Sequence, residues 1–342
     1  MKMYFMLAIL LFMVSCDQSE DNNDNVSCDD STVIVSLQDS DNVSIVRASN
    51  LEIEDQISIN LVNCSELLNQ MECEMSGCMW HAMDNGMSHC MTDHNHDHDM
   101  GDGFYQPHDI AVDNANGYWF TTAMMGTKVA MYSIEDNELL ASYNTSSMPA
   151  LLSLDEVNRK IYVSGGNPSM GETNKILELE YNENSLELVE EWDVQFTYAH
   201  GIHFDEFSGY VFAVSKTVDF IAKFNPDEVQ VPFVNPMIAS MDSTINDNFS
   251  IEPRRLWPIE ISGKYPYIFI TCSAGDWSAG SEYEEISGQV QMWHMEDMNL
   301  LATYEFDTYS RPWHIEVSPV EDKFYVALAG GDGENGSSNS GV

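Results

Sequence analysis

The residues best suited to chemistry lie in a short tract where histidines alternate with acidic and amide side chains. His94, His96 and His98 are interleaved with Asp93 and Asp97, among others. Imidazole is the commonest neutral ligand for zinc and copper, and clustered ligands assemble around one ion at a lower entropic cost. The tract therefore indicates Cu or Zn binding. A solvated polar loop with incidental metal affinity is the alternative, and composition alone leaves both open.

Four cysteines precede this tract within one short segment: Cys64, Cys73, Cys78 and Cys90. In an oxidising compartment they are expected to form two local disulfides, for which sequence does not choose among the three connectivities. An all-thiolate zinc site is the alternative, although the spacing from Cys73 to Cys78 is looser than the usual CxxC. Methionine recurs at every fourth residue from Met71 to Met91. That spacing suits either one face of a helix or a disulfide knot filled by methionine.

The N-terminus predicts export and lipid anchoring. An apolar run from Tyr4 to Val14 follows Lys2 and is too short to span a bilayer as a helix. It ends in Met13-Val14-Ser15-Cys16, which resembles a bacterial lipobox with Met in place of the usual Leu. The resemblance implies a signal peptide over 1–15, acylation of Cys16, and a membrane-anchored lipoprotein in the periplasm or on the outer envelope surface. Residues 16–32, rich in Asp, Asn and Ser, are expected to form a flexible acidic tether.

The charge balance excludes one class of partner. The chain carries 13 Lys and Arg residues against 56 Asp and Glu residues, a formal net charge of -43. A surface this acidic repels phosphate backbones, so we expect no nucleic-acid binding. The same charge argues against electrostatic docking on anionic lipid, which leaves the lipid anchor as the predicted contact with the membrane.

A repeated strand pattern organises the chain from residue 105 onward. Short apolar strands open five units at 108–113, 150–155, 200–205, 257–262 and 313–318. Each is followed by a turn and a strand of aromatic and β-branched residues, then by a third strand and in most units a fourth. Four short strands per unit of this length are typical of β-propeller blades. The sequence therefore predicts an all-β propeller of four-stranded blades.

Two segments carry a resemblance to a known family. Ile34–Val46 resembles the repeat of YVTN-type propellers, which are related to lactonase-like and cytochrome d1-type domains, and Pro107–Asp113 resembles their "PHgiavs" strand. The resemblance implies a seven-bladed parent. Residues 33–60 are interpreted as a partial first blade whose missing inner strand comes from the far end of the chain. The segment 61–104 is an insertion, and 105–342 holds the blades, the last of them incomplete, as expected for a C-terminally truncated chain.

In a propeller, the first residues of each inner strand lie beside the central channel. His108 and His200 are predicted at matching positions of this channel mouth, with Trp257 and Trp313 at the same place in later blades. His314 lies one residue further on, so its side chain is expected to point elsewhere. The insertion would lie above this mouth. We expect the histidine tract to bind metal by itself, with His108 and His200 contributing only if their side chains aim inward.

These features favour a non-enzymatic, membrane-tethered binding protein that holds a small-molecule, metal or protein ligand at the propeller face. A propeller enzyme of lactonase-like or metal-dependent oxidoreductase type is the second interpretation, and an adhesin-like scaffold is the third. The sequence contains no nucleophile elbow, P-loop, dinucleotide fingerprint or CxxCH haem attachment motif. Cys272 lies in an apolar strand and is predicted to be a buried small hydrophobe rather than a nucleophile.

Overall fold

The computed structural model describes residues 32–38, 41–59, 106–166, 175–194, 196–228, 237, 256–273, 288–307, 310–318 and 321–329. It also describes the backbone of 79–82, 88–91, 233–236, 287 and 308. Within these ranges the regular structure is β-strand, arranged as antiparallel sheets along the chain. The described residues include no helix long and apolar enough to cross a membrane.

Four successive sheets have four strands each, in sequence order from the inner to the outer strand. Blades are numbered from the first complete one, which follows the N-terminal segment. This first blade contains β6 (Pro107–Asp113), β7 (Tyr118–Ala123), β8 (Lys128–Ser133) and β9 (Leu139–Asn144). The second contains β10 (Pro149–Asp155), β11 (Lys160–Gly165), β12 (Lys175–Asn182) and β13 (Ser185–Asp193). The third contains β14 (Ala199–Asp205), β15 (Tyr210–Ser215), β16 (Phe220–Phe224) and β17 (Phe233–Pro236). The fourth contains β18 (Pro258–Lys264), β19 (Tyr267–Cys272), β20 (Ser287–His294) and β21 (Leu300–Thr308).

Smaller sheets flank these blades. A three-stranded N-terminal sheet contains β1 (Thr32–Leu37), β2 (Asn42–Arg47) and β3 (Ile53–Ser58), and a fifth blade contains β22 (Pro312–Val317) and β23 (Phe324–Leu328). Among the described residues, β1 pairs with β2 and with no other strand. Closure of the ring by a strand added beside β1 therefore stays a prediction.

The insertion contributes a short hairpin of β4 (Met79–Ala82) and β5 (Ser88–Met91). Met79 pairs with Met91 across this hairpin. These two methionines therefore lie on adjacent strands. The interpretation of the four-residue spacing as one face of a helix is wrong for them. The rest of the insertion lies outside the described residues, as do most of the tether and the whole signal segment.

Apolar side chains fill the space between successive blades. Phe120 and Met131 of the first blade share one buried cluster with Ile161 and Leu179 of the second. Similar clusters join the second to the third blade, the third to the fourth, and the N-terminal sheet to the first. Each large side chain buried in this way contributes about 1.5–3 kcal/mol relative to an exposed one. Packing between the flat faces of blades arranges the inner strands side by side around one centre.

Aspartates end the inner strands and fix the turns that follow. Asp113 accepts hydrogen bonds from the backbone N–H of Asn116 at 2.9 Å and from its side-chain amide at 2.7 Å. Asp155 and Asn158 repeat both contacts in the second blade. Such Asx contacts favour a tight turn over continued strand. These aspartates are structural, and the opposite ends of the inner strands form the candidate site.

Candidate functional site

Backbone conformation marks the start of each inner strand. Gln106, Tyr198, Trp257 and Arg311 each precede such a strand and have positive φ values of 50°, 50°, 50° and 45°. Their carbonyls accept the N–H of the residue just beyond the second strand of the same blade, at 2.9–3.0 Å. These four residues therefore occupy equivalent positions, and the register of every inner strand can be counted from them.

This register corrects one predicted position. Two residues after the positive-φ residue, the first, third and fifth blades have His108, His200 and Trp313. The fourth blade has Ile259 there, because Trp257 is itself the positive-φ residue. The second blade has Ala150. The prediction was wrong for Trp257 because the strand at 257–262 was aligned two residues out of register. Pro107, Pro258 and Pro312 are the equivalent residues, each directly after the positive-φ residue, and all of these strands share one bulge near the start.

A hydroxyl on the second strand links the first, second and fourth blades to the blade that follows each of them. Thr122 Oγ1 accepts the N–H of Asp109 at 3.1 Å and donates to the carbonyl of Ala150 in the second blade at 2.8 Å. Ser164 Oγ makes the equivalent bond to the His200 carbonyl at 2.5 Å. Thr271 Oγ1 does so to the Trp313 carbonyl at 2.6 Å. These bonds hold the mouth residues of neighbouring inner strands at fixed separations.

The boundary between the third and fourth blades departs from this rule. Val214 occupies the place of the hydroxyl and has nothing to donate. His200 instead donates from Nδ1 to the Ile259 carbonyl at 2.8 Å. Gly201 allows the close approach, because a Cβ at that position would lie 2.7 Å from Glu260 Cα and 2.8 Å from Ile259 O. The bond fixes the tautomer of His200, so its Nε2 carries a lone pair.

The two mouth histidines face each other through this nitrogen. His108 Nε2 lies 3.5 Å from His200 Nε2, and the rings meet edge to face with centroids 5.6 Å apart. His200 is fully buried, whereas His108 keeps partial access to solvent. Packing around the ring and the charge of Lys216 lower the pKa of His108 to about 3. The same two causes, in the same order, hold the pKa of His200 well below its usual range, so both imidazoles are neutral at physiological pH.

A second layer of ionisable groups lies one residue further along the inner strands. His314 Nδ1 contacts Glu260 Oε2 at 2.5 Å, and Glu260 also accepts the N–H of Ile315 at 3.3 Å. Burial alone would lower the pKa of His314, but the Glu260 carboxylate outweighs it and the net pKa is raised. Burial raises the pKa of Asp109 to about 7, and the charge of Glu260 adds to the effect. His314 thus joins the fifth blade to Glu260 of the fourth.

Several predicted groups cannot be placed in this geometry. His94, His96, His98, Asp93 and Asp97 lie outside the described residues. Cys16, Cys64, Cys73 and Cys78 do too, and Cys90 is described by its backbone alone. Among the described side chains, no three His, Cys, Asp or Glu residues are grouped closely enough to hold a metal ion. Disulfide pairing in the insertion therefore stays a prediction. Cys272 is fully buried, and burial raises the pKa of its thiol, as expected for a packing residue.

Sequence reasoning missed three members of the site: Asp109, Glu260 and Lys216. The repeated hydroxyls Thr122, Ser164 and Thr271 were visible in the second strands and could have revealed the boundary at which Val214 breaks the series. Lys216 follows a second strand and carries no motif, so no sequence signal pointed to it.

Comparisons with known proteins bear on the fold. No family model matches the chain, and no curated protein matches its sequence. Hydrazine synthase from Kuenenia stuttgartiensis is similar in structure, with a TM-score of 0.59 and 11% identity over 88% of this chain and 72% of that one. A chain of a nidogen/laminin complex gives a TM-score of 0.50 and 8% identity over 87% of this chain and 84% of that one. Such low identities show the fold alone.

Both of these structures contain β-propellers. Together with the four-stranded sheets described above, they confirm the prediction of an all-β propeller. The blade number of the parent and membership of the YVTN type stay predictions.

Proposed function

We propose that this protein is a membrane-tethered binding protein of the cell envelope, whose propeller holds a Cu or Zn ion between the channel mouth and the inserted segment. The proposal includes a lipid anchor at Cys16, which the lipobox-like sequence supports. It also includes a relationship to YVTN-type propellers, which the segments Ile34–Val46 and Pro107–Asp113 support. One observation carries the metal assignment, namely the convergence of His108 Nε2 and His200 Nε2 at 3.5 Å.

The separation of the two nitrogens suits one shared ion. Two imidazole nitrogens bound at about 2.0–2.1 Å to a tetrahedral ion lie roughly 3.3 Å apart. His200 donates its other ring N–H to the Ile259 carbonyl, the usual outer contact of a metal-binding histidine. Such a contact orients the ring before the ion arrives. The pair therefore has both the spacing and the support that a metal site needs.

The two histidines are also in the protonation state that metal binding requires. A histidine must lose its proton to bind an ion, so metal affinity normally falls as imidazoles become protonated. The pKa of His108 is lowered to about 3 and that of His200 lies well below its usual range. Protons therefore do not compete for these two nitrogens at neutral pH. The histidine tract, whose imidazoles are expected to titrate near their ordinary pKa, would instead lose affinity below about pH 6.5.

Two ligands do not complete a zinc or copper site, and the insertion can supply the remainder. His98 precedes His108 by ten residues. An extended chain of that length spans up to about 33 Å, so His94, His96 and His98 are within reach of the mouth. We therefore favour one shared site over a tract that binds metal alone.

The test is calorimetric titration of the full chain with Cu(II), Cu(I) and Zn(II). The variants are a triple His94→Ala, His96→Ala, His98→Ala change and a double His108→Ala, His200→Ala change. We expect each to weaken binding by at least about tenfold, since each loses ligands of the same ion. His203→Ala is the matched control. His203 lies in the same strand as His200, its ring packs under Gly263, and the change should leave metal affinity unaltered.

Two outcomes would contradict this proposal. Binding that depends on the tract but not on His108 and His200 would place the ion on the insertion alone. Millimolar binding by the wild type would reject a metal function altogether.

A further inference from the structure

Lys216 lies at the channel mouth beside the histidine pair. It directly follows β15, and its backbone N–H bonds to the Tyr198 carbonyl at 2.9 Å. Its charge acts on His108, His200 and His314, the three imidazoles around the mouth. Its ammonium group lies 5.0 Å from the ring centroid of Trp313, beside the start of the fifth inner strand.

The described residues provide Lys216 with no carboxylate partner. Lys160 contacts Glu178 at 2.7 Å and Lys323 contacts Glu321 at 2.8 Å, whereas the described part of the chain shows no ion pair at Lys216. Burial lowers the pKa of Lys216 to about 8, with no described acidic group opposing the shift. In a chain with a net charge of -43, a partly buried lysine with no acidic partner among the described residues is unusual. Leaving it so costs free energy that a bound anion would recover.

Two aromatic rings flank the ammonium group. Lys216 Nζ lies 5.0 Å from the ring centroid of Trp313 and 5.6 Å from that of Tyr198. The rings partly stabilise the cation in the absence of a carboxylate. They also offer apolar surface directly beside the charge, against which the body of an organic anion can pack.

We propose that the channel mouth contains an anion-binding subsite in which Lys216 binds the carboxylate of a small organic ligand while Trp313 and Tyr198 contact its apolar part. Among the described lysines and arginines, Lys216 is the one whose charge acts on the mouth histidines, and the two rings beside it suit an organic carboxylate better than inorganic phosphate. This inference deepens the proposed function by naming the ligand class at the same mouth, and it does not require the metal.

The experiment titrates the full chain with benzoate in carboxylate-free buffer from which metal has been removed with a chelating resin, and binding is followed by calorimetry and tryptophan fluorescence. Lys216→Met should weaken benzoate binding by about tenfold or more, because a charge-assisted hydrogen bond is lost. Lys216→Arg keeps the charge and should bind within a few-fold of the wild type. Lys223→Met is the control, since Lys223 also lies over an aromatic ring, that of Tyr210 at 3.9 Å, but in the third strand of the blade.

A second measurement needs no variant. Acetic anhydride at pH 7.5 should acetylate Lys216 in the native chain. Benzoate should slow the acetylation of Lys216 and leave the rate of acetylation of Lys223 unchanged. Unchanged affinity in Lys216→Met, absence of benzoate binding by the wild type, or tighter binding of phosphate than of benzoate would overturn the subsite. Because the metal titration uses carboxylate-free buffer and the His108 and His200 variants, failure of the metal site and failure of the anion subsite give different results.

Discussion

His200 Nδ1 donates to the carbonyl oxygen of Ile259 at 2.8 Å, across the one described boundary between complete blades that lacks a second-strand hydroxyl. The same bond joins two blades and turns Nε2 of His200 toward His108. One imidazole thus bonds the third blade to the fourth and presents a candidate metal ligand. The bond between the blades can be tested separately from metal binding.

Removing His200 should destabilise the fold, and a hydroxyl at position 214 should restore it. His200→Ala leaves the Ile259 carbonyl without its donor and should cost about 1–3 kcal/mol. Val214→Thr in the same chain supplies the group that Thr122 and Thr271 provide at other boundaries, so the double variant should regain much of that loss. Urea unfolding at pH 7.5 measures both. Strictly additive effects of the two changes would show that the hydroxyl and the imidazole are not interchangeable.

The Glu260 carboxylate should control protonation of His314. The raised pKa of His314 in the folded protein means that this pair stabilises the fold fully below the unfolded pKa of about 6.5. That contribution is lost as the pH rises through the folded-state value. In Glu260→Gln, the main group that raises the pKa of His314 is lost while burial and the charge of Lys216 still lower it, so this pKa should fall. Imidazole NMR titration checks this shift, and a His314 resonance that titrates identically in both proteins would contradict it.

Gly201→Ala should destabilise the contact between the third and fourth blades. The added Cβ would meet Glu260 Cα at 2.7 Å and Ile259 O at 2.8 Å, both of which are backbone atoms that cannot rotate away. Overpacking of this kind costs about 1–3 kcal/mol. Gly117→Ala is the control, since no atom lies within 4 Å of its added Cβ and only its φ of 82° is unfavourable. Thermal unfolding should rank Gly201→Ala as clearly less stable, and equal melting temperatures would argue against a close approach at Gly201.

The chain should carry a lipid on Cys16. Radiolabelled palmitate added to expressing bacteria should enter the wild type and be absent from Cys16→Ser, because the acylated cysteine becomes the mature N-terminus. Cys28→Ser changes a nearby cysteine and should keep the label. Label retained in Cys16→Ser would rule out this anchor.

The sequence by itself determined the strands and their grouping into blades. Alternating apolar residues and aspartate-containing turns specify where each strand runs, since both act over a few neighbouring residues. The inner strands at 107–113, 199–205 and 312–317 were predicted to within a residue or two in this way. The prediction that His108, His200 and Trp313 share equivalent positions came from the same local pattern.

Only the tertiary structure decided what those residues face. Strand pairing fixed the register of the fourth inner strand, with Trp257 before the strand and Ile259 at the mouth. The contacts of His200 with Ile259, of Glu260 with His314, and of Lys216 with Trp313 join residues more than fifty positions apart. Their partners are set by how the blades pack around a common centre, a long-range arrangement that no local pattern in the chain encodes.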